Sequence, residues 1–154
     1  MPDGYDYAGV STTKFQKIRN VIPNEPVFEW YTASKAKLNY LAQLPTGWDG
    51  LNAAPVSFNN ANFALNMLSQ VCFDTTPAPV IVPGINGNCQ VEWHTLSGDL
   101  ELNVKSPYHV EVWWSMLNDG VINENETLLT NDFTEIISYL RQITEPAIAN
   151  VAAA

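Results

Sequence analysis

Hydrophobic and polar positions along this chain keep a helical period, then a two-residue period, then a helical one again. Trp30, Ser34, Leu38, Leu41 and Ala42 share one face of a helix expected over 30–44, which Pro45 and Gly47 stop. After Pro55, Ser57 is placed to cap a second helix. Its apolar stripe reads Phe58, Ala61, Leu65, Leu68 and Cys72, with Asn59, Asn60, Asn62, Asn66 and Gln70 on the wet side. Pro77-Ala78-Pro79 closes that helix into extended chain. Ahead of these, Phe15, Ile18 and Ile22 follow Ser11-Thr12-Thr13 at helical spacing, which predicts one short basic helix.

From Val80 to Thr130 the period is two. Val80-Ile81-Val82 is short and apolar, and Ile85-Asn86-Gly87-Asn88 is an Asn-Gly hairpin signal. Val91 and Trp93 then alternate with Gln90, Glu92 and His94. Leu100, Leu102 and Val104 alternate with Glu101, Asn103 and Lys105. Ser106-Pro107 turns the chain into His109–Met116, with Val110, Val112, Trp114 and Met116 inward and His109, Glu111, Trp113 and Ser115 outward. Asn118-Asp119-Gly120 signals another turn, so Val121-Ile122 or Thr127-Leu128-Leu129 is expected to supply a last edge strand. The loops are too short for parallel crossovers, so the strands form an antiparallel meander. A final helix is expected behind a capping box at Asp132–Glu135, with Phe133, Ile136, Ile137, Leu140 and Ile143 buried and Pro146 as its end.

The sum is an α+β fold: an antiparallel β-meander of four to five strands, two to three helices before it and one after it, packed on one face. Residues 1–28 read as an irregular segment, 29–146 as a single domain and 147–154 as a tail. A length of 154 residues with 46% apolar and 11% aromatic content suffices for one core without staples.

Charge sharpens the picture. Residues 1–50 balance five basic groups (Lys14, Lys17, Arg19, Lys35, Lys37) against five acids. Residues 51–154 hold only Lys105 and Arg141 against eleven acids, which accounts for the whole net charge of -9. Such a surface repels phosphate backbones and anionic lipid, so a protein partner with a basic surface is expected, and neither nucleic acid nor membrane. No run of apolar residues is long enough to span a bilayer, and the polar, acidic start lacks a secretory pattern; a cytoplasmic location is expected. Cys72 and Cys89 are too few for a disulfide framework and read as inert thiols.

Two constellations are candidates for function. In Gly47-Trp48-Asp49-Gly50 the glycines permit positive φ, Asp49 caps its own loop, and Trp48 either plugs a helix junction or anchors a partner. The outward sheet face would carry Glu92, Glu101 and Glu111 around Trp113, with acids to steer a basic partner and an indole to supply area. His94 and His109 on that face are weak metal candidates without diagnostic spacing, and no metal or other cofactor is expected. No phosphate-binding loop or nucleophile elbow is present.

The stretch Leu44-Pro45-x-Gly47-Trp48-Asp49-Gly50, Ala53-Ala54-Pro55-x-Ser57, Pro79-x-Ile81-x-Pro83 and Gly87-x-x-Gln90-Val91-Glu92-Trp93 resembles a pattern in small, mostly uncharacterised bacterial and bacteriophage proteins of mobile or defence-related regions. The resemblance covers residues ~40–95 and implies a phage or prophage setting, but no catalytic residue. The expected function is a non-enzymatic protein-binding module that inhibits or neutralises a bacterial protein, anti-CRISPR-like or antitoxin-like. The alternatives are a small metal-dependent or carboxylate-based hydrolase, using His94, His109 and neighbouring Glu, and a virion structural or assembly protein.

Overall fold

Five antiparallel strands follow one another in space as they do in sequence, in the order β1-β2-β3-β4-β5. They are β1 (Val80–Pro83), β2 (Cys89–Thr95), β3 (Gly98–Ser106), β4 (His109–Asn118) and β5 (Val121–Leu129). Two helices precede them, α1 (Glu29–Ala42) and α2 (Phe58–Val71), and one follows, α3 (Thr134–Ala153). This computed structural model describes residues 28–118 and 120–153. The short basic helix expected around Phe15–Ile22 lies outside them.

The helices and one face of the sheet build a single core. Ile81, Val91, Trp93, Leu100, Leu102, Val104, Val110, Val112 and Met116 come from the sheet. Leu38, Leu41, Ala64, Leu68, Ile136 and Leu140 come from the helices. Each fully buried Val, Leu, Ile or Met among them stabilises the fold by roughly 1.5–3 kcal/mol. The α+β architecture expected from the period switch is therefore present, and the inward set of β2, β3 and β4 is the expected one. In α1 the buried residues Trp30, Ser34, Leu38 and Leu41 also match.

Four local expectations need correction. The buried face of α2 is Asn60, Ala61, Ala64, Met67, Leu68 and Val71, rotated from the expected stripe. Phe58 is 76% exposed and Asn60 only 5%. Ser57 does cap this helix, accepting from the Asn60 backbone N–H at 3.1 Å. In this rotation the Asn60 side chain faces inward, and its Nδ2 donates to Gly87 O at 2.8 Å and Lys105 O at 3.3 Å. Gly87 O, which also accepts from the Ser57 backbone N–H, and Lys105 O are thereby tied to α2.

The last strand is continuous from Val121 to Leu129, rather than either of its ends alone. Helix α3 continues past Pro146 to Ala153. Finally, Asp132 accepts from Thr134 through both backbone N–H (3.0 Å) and hydroxyl (2.7 Å), which lowers the Asp132 pKa, the hydroxyl bond most. Glu135 accepts from the Tyr139 hydroxyl at 2.8 Å, so the two do not form a reciprocal capping box.

Candidate functional site

The helices leave the other sheet face uncovered among the described residues. Register fixes what stands beside what on that face. Glu92 lies opposite Glu101, Glu101 opposite Trp113, and Trp113 opposite Glu126, in one row across four strands. The neighbouring row runs Gln90, Asn103, Glu111, Leu128. Side chains in such rows are neighbours because directly opposed Cβ atoms lie roughly 5 Å apart.

Hydrogen bonds tie these rows together. Gln90 Nε2 donates to Glu92 Oε2 at 2.7 Å and Glu101 Oε1 at 3.3 Å, bridging two opposed carboxylates. Asn88 Nδ2 donates to Asn103 Oδ1 (2.9 Å), and Asn103 Nδ2 to Glu111 Oε1 (3.2 Å). Lys105 Nζ stands 3.5 Å from Glu111 Oε2. Between these groups lies a shallow cleft of about 140 Å³, lined by Gln90, Glu101, Asn103, Glu111, Trp113 and Glu126 among others. That volume lies below the range of drug-sized ligand pockets and admits about one side chain.

Of the residues singled out from sequence, the fold gathers Glu92, Glu101, Glu111 and Trp113 on this face. Trp113 is half-buried and lies outside the helical core, as the alternation requires. Glu124 and Glu126 of β5 belong to the same face and were missed. The signal was Ile122, Glu124, Glu126 and Leu128 at alternate positions, continuing the outward set.

Trp48 and Asp49 are elsewhere. Trp48 Nε1 donates to Ala54 O at 2.7 Å. Asp49 Oδ1 accepts from the backbone N–H groups of Leu51 (2.9 Å) and Ala53 (3.1 Å), which hold its carboxyl below the usual range. Gly47, at φ +83°, allows the turn, and a Cβ there would meet Leu51 O at 3.1 Å. The loop continues onto the β1–β2 turn, where Ala54 N–H donates to Ile85 O and Ser57 N–H to Gly87 O. Its polar groups therefore serve the helix–sheet junction, and neither residue lines the cleft.

The histidines do not converge. His94 lies opposite Asp99 and His109 opposite Ser106, so their positions are separated along β3 by roughly 23 Å at about 3.3 Å per residue. His94 is held by Glu92 and Asp99, at 3.1 Å each, and hydrogen bonds to those carboxylates raise its pKa. Among the described residues no group of three or more His, Cys, Asp or Glu is arranged to hold a metal ion. Cys72 and Cys89 are pushed up to about 12 by burial, so their thiols stay protonated and inert at neutral pH.

A larger cleft of about 460 Å³ lies between residues 72–75 and α3. Its one cation among the described residues, Arg141, is engaged already: the guanidinium lies 5.0 Å from the Phe73 ring centroid and 3.5 Å from Glu145. Thr144 at its wall shares a buried 2.9 Å hydroxyl contact with Thr76. These contacts join the loop to the helix. No described helix is long and apolar enough to cross a membrane. Compared with protein-family models, curated proteins and solved structures, the chain matches none of them.

Proposed function

We propose that this chain is a non-enzymatic binding module whose outward sheet face meets a basic surface on another protein. One observation carries the reading: two half-buried carboxylates, Glu92 and Glu101, oppose each other directly beside Trp113. Like charges opposed across a sheet cost stability. Features that violate a local folding rule concentrate at functional sites. A cationic side chain from a partner would relieve the repulsion and stack on the indole. In the phage or mobile-element setting that the resemblance implies, the partner is a bacterial protein that the module inhibits or neutralises, in the manner of an anti-CRISPR protein or an antitoxin. The host cytoplasm is the corresponding location.

The test is capture from bacterial lysate by wild type, Trp113→Ala and Glu101→Gln at low and physiological salt. The expected result is a basic protein retained by wild type, released as salt rises and lost with Trp113→Ala. Identical material on wild type and Trp113→Ala, or capture indifferent to salt, would refute the reading.

A further inference from the structure

The two edges of the sheet differ. Strand β1 is four residues long and ends in Pro83, two features that blunt an edge against pairing. Strand β5 is nine residues long, contains neither Pro nor Lys, and keeps an unbroken register with β4 from Val121 to Leu129. Among the described residues no strand pairs with its outer side, where the Glu126 backbone N–H donates to the exposed Asn125 Oδ1 at 2.8 Å. A long straight edge of this kind is a template for another strand.

The side chains beside that edge select among occupants. On the outward face β5 presents Ile122, Glu124, Glu126 and Leu128. Ile122 and Leu128 are 66% and 57% exposed. A second copy is a poor match. Any antiparallel register that aligns the outward faces and leaves no more than two of the nine β5 residues unpaired opposes Glu124 to Glu126, Glu124 to Glu124, or Glu126 to Glu126. Each such arrangement is penalised. A strand bearing two cations at alternate positions, flanked by apolar residues, meets the same row with opposite charge in the middle and oil at both ends.

We propose that the β5 edge binds an extended basic segment of a partner protein as an additional antiparallel strand. Main-chain hydrogen bonds would hold it, and Glu124 and Glu126 would select Lys or Arg. The proposal rests on the reading above for the sign of the partner's charge alone.

The probe is the capped peptide Val-Thr-Lys-Thr-Lys-Thr-Val, titrated into the full chain and followed by amide NMR. Binding should shift β5 amides and protect those facing away from β4. N-methylation of the peptide amides that face β5 keeps its charge, yet should weaken binding at least tenfold. The E124K/E126K variant should lose this peptide and gain its Glu-for-Lys counterpart. Equal binding of the N-methylated peptide, with shifts at Glu101 and Trp113, would overturn strand addition and leave the basic-partner reading standing. No binding of the lysine peptide would overturn the edge assignment, while lysate capture sensitive to Trp113→Ala would still support the face. Pairing at β5 with lysate capture indifferent to Trp113→Ala would sink the face and keep the edge. A dimer without peptide, or outer β5 amides already protected in the free monomer, would mean that a second copy or residues 1–27 occupy the edge, and would overturn the proposal.

Discussion

The two faces of strands β2 to β4 are built from alternating residues of the same chain segments, yet they obey different rules. Inward, Val91, Leu102 and Val112 lie opposite one another and are fully buried. Their identity is explained by folding alone, because only apolar side chains lower the free energy there. Outward, Glu92, Glu101 and Trp113 occupy the next row, and folding alone does not favour opposed carboxylates. A face that only apolar packing explains and a face where Gln90 bridges two opposed carboxylates are thus separated by a single residue step. Under the proposed function, the residues of the second face serve contact with a basic partner.

The largest expected effect tests the inner face. Leu102→Ala removes a side chain with no exposed surface and should destabilise by about 2–5 kcal/mol in urea unfolding. A loss below about 1 kcal/mol would show that this face is not packed as described. Next is Asn60→Ala, which removes the side-chain bonds to Gly87 O and Lys105 O, leaving Ser57 N–H on Gly87 O, and should cost about 1–3 kcal/mol in the same measurement. An unchanged midpoint would mean that the Asn60 bonds are not needed to hold this junction.

On the outer face the sign should reverse. Glu101→Gln removes one of two opposed charges and should raise stability by roughly 0.2–1 kcal/mol while weakening capture of a basic partner. Lower stability together with unchanged capture would erase the distinction between the faces.

The smallest effect belongs to His94. Hydrogen bonds to Glu92 and Asp99 raise its pKa in the folded state. Its contribution is therefore complete below the unfolded value of about 6.5 and is lost as pH rises through the folded one. At an exposed site it should stay under about 1 kcal/mol. NMR titration of His94 should give a midpoint above about 6.5, and His94→Gln should flatten the matching slope of stability against pH. A midpoint below that value would contradict the carboxylate contacts.

Most of the sheet was legible in the sequence because one face is buried. Adjacent positions then face opposite demands, and a one-residue slip in register would reverse every side chain. Strand β5 lacked that contrast. Val121–Glu126 is exposed throughout, so no burial pattern marked its middle as strand. The rotation of α2 was hidden for another reason. Asn60 looks polar and therefore wet, and its acceptors lie 27 and 45 positions away, where no local pattern reaches them. Opposed carboxylates were likewise invisible until register was known: Glu92 and Glu101 could be placed on one face, but only pairing sets them side by side. The Gly47–Gly50 loop was readable as a self-capped turn, since Asp49 needs only its own neighbours.

The Asn60 amide also divides the molecule mechanically. It grips the β1–β2 turn at Gly87 and the β3–β4 approach at Lys105, both at the same end of the meander. At the opposite end, Leu96 is 96% exposed in the β2–β3 turn, and that turn is held locally by Thr95 and by Leu117 N–H donating to Ser97 O. A reporter peptide or fluorescent fusion spliced in beside Leu96 should project into solvent, away from the Asn60 contacts, and leave the helices undisturbed. The same graft at Gly87 would pry the two layers apart.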